Sequence, residues 1–230
     1  MNYSLSQIRS DPVLARAIPF LLFIAFLMAS SALAPVAAPI GISLSWLVVV
    51  RGVIVGLVLA WFWRAYTELR KTEPVFAIHW WAAVVAGIAV FGIWIEWGSS
   101  GAVMTHSEKF IPLHPDGRLD WPTALLRLAG LGLVVPVMEE LFWRSLILRW
   151  IEQHDFLALS PRRVGPGAFL ITTALFAVEH DSWVAGAIAG ITYNALYIWS
   201  RNLWIPIASH AVTNSALGIW IIATRNWHYW

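Results

Sequence analysis

Long unbroken apolar runs limit this 230-residue chain more than any other feature. "AIPFLLFIAFLMASSALAPVAA", residues 17–38, is one such run. A helix needs about 20 apolar residues to cross about 30 Å of hydrocarbon. Runs of that kind recur at 44–63, 76–97, 123–147 and 203–223, with shorter ones at 167–183 and 184–200. Inside a bilayer each main-chain polar group must be paired within the protein, which leaves helices as the natural solution for such segments. Only 12% of residues are charged and the mean hydropathy is +0.69, so lipid fits as solvent better than water. The expected fold class is therefore all-α: a polytopic membrane bundle of about seven or eight transmembrane helices around a polar cavity.

Charge adds an orientation. With the N-terminus in the cytoplasm, Arg9, Arg16, Arg64, Arg70, Lys71, Arg149, Arg162, Arg163 and Arg201 fall inside. Lys109, Arg118 and Arg225 fall outside, and nine against three agrees with the positive-inside rule. Trp61, Trp63, Trp97, Trp199 and Trp204 lie near span ends, as interfacial anchors do. The sequence pI near 9.2 reflects this topology; with a net charge of +2 and no long basic run, nucleic acid is not an expected partner. In a bacterium the location would be the inner membrane. "SALA" at 31–34 looks like a signal-peptidase site, but the apolar run exceeds the roughly 7–15 residues of a signal core, so we read an uncleaved first span. Without cysteine, disulfides, thiolate catalysis and cysteine metal sites are excluded. Residues 98–121 read as an extramembrane loop, and 148–166 as an interfacial helix followed by a loop. We divide the chain into N-terminal spans with their loop, 1–119, and a C-terminal helical core, 120–230.

Charged groups inside a span cost several kcal/mol and so tend to face protein or a watery cavity. In "PVMEELFWRSL", Glu140 and Arg144 are four residues apart and share a helix face, while Glu139 points about 100° away. In "FAVEH", Phe176 and His180 share a face, flanked by Glu179 and Asp181; in "HAVTN", His210 and Asn214 do. Each group alone has a plain structural reading: an internal ion pair, a hydrogen-bonded packing histidine, polar glue between helices. Arg51 and Arg127 lie in or near spans with no evident sequence partner, and the remaining histidines read as solvated or interfacial.

Together the groups suffice for peptide hydrolysis. That reaction needs a base for water, donors for the developing oxyanion and an acid for the leaving amine. The three motifs in this order resemble the CPBP family, which includes the CAAX prenyl endopeptidases and bacteriocin-processing (Abi) proteins. The likeness covers roughly residues 120–222, and a bacterial CAAX-protease-related protein is the nearest description. It implies an intramembrane endopeptidase acting on a membrane-associated peptide, lipidated or not. By that resemblance Glu139 and His180 would activate water, His210 and Asn214 would stabilise the oxyanion, and Glu140, Arg144 and Phe176 would support them. It leaves open a zinc site of Glu139, His180 and His210; lacking an HExxH motif, we expect no metal. Two other readings remain: a non-catalytic scaffold or immunity protein on the same fold, and a small proton-coupled transporter. Linear spans put His180 and His210 near opposite faces of the membrane. A working site therefore requires the helices around 167–200 to be tilted, broken or short.

Overall fold

The computed structural model describes residues 4–40, 45–70, 73–97, 111–114 and 116–230. All its regular structure in that range is helical apart from one antiparallel bridge, Leu113 to Leu119. In chain order the helices are α1 (Leu5–Ser10), α2 (Pro12–Ala37), α3 (Ser45–Trp61), α4 (Thr67–Arg70) and α5 (Ala77–Trp97). A long helix, α6, winds without interruption through 121–150; it is followed by α7 (Pro166–Val178), α8 (Trp183–Ser200) and α9 (Trp204–Thr224).

Among the described residues, α2, α5 and α9 are both long and apolar enough to cross a bilayer. Their outward faces carry large bare apolar side chains, Leu21, Met28, Trp81, Val85 and Ile219 among them. A surface of that kind belongs in lipid. The expectation of seven or eight spans is thus met for three helices by length and composition. At 13 residues α7 reaches about 20 Å, short of the hydrocarbon thickness.

The 167–200 region explains how the two histidines can meet. It is a tight hairpin of α7 and α8, and His180 sits in the turn between them, not within a span. The helices approach closely along Gly186 and Gly190, where an added Cβ would lie 3.2 Å from the Ala177 Cα and 3.4 Å from the Thr173 Cα. Small residues four apart are a usual means of bringing helices together in membranes. Irregular backbone within a membrane is tolerated where it is covered by protein.

Two sequence expectations need correction. The stretch 148–166 is not an interfacial helix: α6 runs on to Trp150, and turns with two short 3-10 segments, Phe156–Ala158 and Pro161–Arg163, follow. His79 is not solvated; it is buried between Phe76 and Trp199, and its Nδ1 accepts from the Phe76 amide at 3.0 Å. Most of the 98–121 loop lies outside the described residues. Arg51 gains an account: its guanidinium rests 4.3 Å from the Phe23 ring, and Arg127 similarly lies 5.3 Å from Trp230. Cations over aromatic faces are attracted by the ring quadrupole.

α6 starts at Asp120, whose carboxylate accepts from the Thr123 amide and hydroxyl, with Pro122 in the first turn. Along its course it widens twice into π winding, at Gly130–Val134 and Leu141–Ile147. Such turns are rare and occur often at functional sites. Here they bracket the two glutamates.

Candidate active site

α6 brings Glu139 and Glu140 into the interior, where they are 5% and 0% exposed. Glu140 Oε1 accepts from Arg144 Nη1 at 3.1 Å, one turn on along the same helix. Arg144 is itself fully buried. Its Nε donates to Asn194 Oδ1 at 3.1 Å, and its guanidinium lies 4.3 Å from the Phe176 ring. The opposite charge and these contacts offset the cost of burying each ion.

His210, from α9, reaches the same carboxylate: Nδ1 lies 3.0 Å from Glu140 Oε1. Its Nε2 faces Glu139 Oε2 at 4.0 Å. Tyr193 stacks on the imidazole at 4.9 Å and 18°, and fixes its own hydroxyl on Thr213. His180 enters from the α7–α8 turn. Its Nδ1 lies 2.7 Å from the Phe176 carbonyl. A carbonyl only accepts, so Nδ1 carries the hydrogen and Nε2 of the neutral ring keeps its lone pair. Phe176 lies 4.5 Å from His180 and 6.4 Å from His210, ring centre to ring centre, and so joins the two histidines. Trp94 of α5 closes the far side of His180.

Glu139, Glu140, Arg144, Phe176, His180 and His210 therefore converge. Asn214 lies one turn beyond His210, with its amide donating to the Leu131 carbonyl at 3.1 Å. Glu139 Oε2 and Glu140 Oε2 are buried with no hydrogen-bond partner among the described residues. An orphaned buried oxygen of this sort is costly and calls for a donor from outside the chain, such as water or substrate.

The sequence reading did not single out Tyr193, Asn194, Trp94 or Trp143. Trp143 donates its Nε1–H to Glu179 Oε2 at 2.9 Å and packs edge-on against Phe176, tying α6 to the end of α7. The signal for Asn194 was an isolated amide within the apolar α8; the aromatic residues carry none that separates them from the packing aromatics around them.

A zinc site would need three ligands to converge. His180 and His210 each have Nδ1 engaged and Nε2 left over, and among the described residues no group of three or more His, Asp or Glu is gathered closely enough to hold a metal. No step below passes through a metal.

A helical membrane fold enclosing two glutamates, an arginine and two histidines defines a class: integral membrane proteins with a buried acid–base site. Family comparison is more specific. Residues 121–216 match Type II CAAX prenyl endopeptidase Rce1-like, in agreement with a CPBP-family protease. The matched segment runs from the start of α6 to Ala216 in α9 and contains every motif residue. Neither the curated proteins nor the solved structures yield a match. The match supports protease activity of the CAAX type.

Proposed function

We propose that the protein is an intramembrane endopeptidase in which Glu139 is the base for a water molecule that attacks a peptide carbonyl. The observation that carries this reading is the buried Oε2 of Glu139, which has no hydrogen-bond partner among the described residues and faces His210 Nε2 at 4.0 Å. Water would donate one hydrogen to Glu139 Oε2 and the other to the free lone pair of His180 Nε2. As its oxygen bonds to the carbonyl carbon, Glu139 takes the first proton, and the carbonyl oxygen becomes an oxyanion. His210 donates to that oxyanion from Nε2 in its imidazolium form. Glu140, itself held by Arg144, stabilises that form through Nδ1. The Asn214 amide is committed to the Leu131 carbonyl, so His210 is the oxyanion donor in this reading. The C–N bond then breaks as Glu139 returns its proton to the departing nitrogen.

The substrate in this reading is a peptide segment lying in or at the membrane, lipidated or not. The reaction needs no metal. Wild-type protein in liposomes would be offered quenched lipidated and unlipidated peptides, with and without a strong chelator. Cleavage that ignores the chelator supports the reading. Cleavage lost to chelator and restored by zinc refutes the metal-free mechanism, and ion-coupled flux without cleavage refutes the protease.

A further inference from the structure

Pro136 interrupts the main-chain pairing of α6 where the first π turn ends. Four- and five-residue helical winding offers the Leu131 carbonyl two main-chain donors. One is Val135, whose N–H goes to the Gly130 carbonyl. The other is residue 136 in the five-residue winding, and proline has no N–H. Neither donor serves the Leu131 carbonyl, which lies three residues before Val134 and eight before Glu139. The Asn214 side chain fills that position: Nδ2 donates to Leu131 O at 3.1 Å across 83 residues of sequence. Since the partner is a carbonyl, the amide nitrogen must face it.

Next to this contact, α6 and α9 touch closely. A Cβ on Gly132 would collide with Ser215 Oγ, and one on Gly218 would lie 2.6 Å from the Leu128 Cδ1. The same two helices carry the 3.0 Å contact of Glu140 with His210. The Asn214–Leu131 bond therefore sets the spacing of the two helices whose side chains form the site.

We propose that Asn214 is a positioning residue: it caps the carbonyl that Pro136 strands, and so holds Glu139 and Glu140 in register with His210. The proposal rests on the protease reading for its functional meaning. It differs from an oxyanion-donor role in one respect that can be tested. A main-chain donor at 136 would substitute for Asn214 as a cap, but not as a donor to the substrate.

The experiment compares wild type, Asn214→Ala, Pro136→Ala and the double variant, with Asn214→Asp as an isosteric form that lacks donors. Steady-state cleavage and amide hydrogen exchange over 130–147 are both measured. Asn214→Ala and Asn214→Asp are expected to lose about 100-fold in kcat, the scale of a small misplacement at a reacting centre, with KM nearly unchanged. Exchange over 130–136 should speed up in both. The double variant should recover kcat to within about threefold of wild type, because the Pro136→Ala change supplies the missing main-chain N–H, and should regain exchange protection. A double variant as slow as Asn214→Ala, or unaltered exchange in Asn214→Ala and Asn214→Asp, overturns the proposal. If wild type cleaves no probe, the protease reading fails by itself, and the exchange pattern alone decides the cap.

Discussion

A second ionic cluster meets α6 further along, at Ser145 and Arg149, and Glu68→Gln tests what it does. Glu68, in the polar connection between α3 and α5, accepts from Arg16, Ser145 and Arg149. Arg16 and Arg149 side chains are 0% and 5% exposed, and their guanidiniums lie 5.2 and 5.4 Å from the same Phe156 ring. Among the described residues, Glu68 is the one carboxylate paired with both. Removing its charge leaves two buried cations facing each other. Breaking a buried pair in this way costs about 3–5 kcal/mol, and glutamine, which keeps the shape and one acceptor, belongs at about 3. Burial opposes the charged form of Glu68, but the Arg16 charge and the hydrogen bonds from Arg16 and Ser145 outweigh it and hold its carboxyl below the usual range. A lowered folded-state pKa contributes stability that is present above the unfolded value, about 4.3, and lost as pH falls through the folded one. Unfolding in detergent, followed by tryptophan fluorescence, should show Glu68→Gln less stable at pH 7, with the gap closing below about pH 4. Equal stability at pH 7, or a gap that does not change with pH, refutes this reasoning.

Further substitutions probe other parts of the account. Arg144→Met removes the partner of Glu140 and the cation over Phe176, and should cost about 3–5 kcal/mol in the same unfolding assay. Gly87→Ala should destabilise by about 1–3 kcal/mol, since its Cβ would lie 2.5 Å from the Ser209 carbonyl, where α5 meets α9. Trp143→Phe keeps the ring but loses the bond to Glu179, and should cost about 1–3 kcal/mol with a red-shifted emission from the remaining tryptophans near the site.

How much was legible in the sequence depends on distance along the chain. Helix periodicity is local, so the Glu140–Arg144 pair and the apolar spans could be read directly. The three motifs could be found because each is a four-residue spacing in sequence, carried within one helix for Glu140–Arg144 and His210–Asn214 and just past the end of α7 for Phe176–His180. Contacts across the fold leave no such trace. Glu68 meets Arg16 over 52 residues and Ser145 over 77, and nothing near Glu68 announces either. Hydropathy took 167–200 for two spans because it registers apolar content and not the turn that places His180 at the site. The π turns leave no mark on helix periodicity; Gly132 sits in the first of them, close to Ser215, and Pro136 lies just after it. Arg51 resisted a sequence account because its partner is an aromatic face on another helix.

The most direct test of the central claim is the kcat of Glu139→Gln against wild type, on whichever peptide the wild type cleaves best. Glutamine keeps the size of the side chain and removes only its basicity. The account predicts a fall of about 10³ or more in kcat, with KM and the unfolding midpoint close to wild type. A glutamine variant that cleaves at a comparable rate would contradict it, and Glu139 would not be the base.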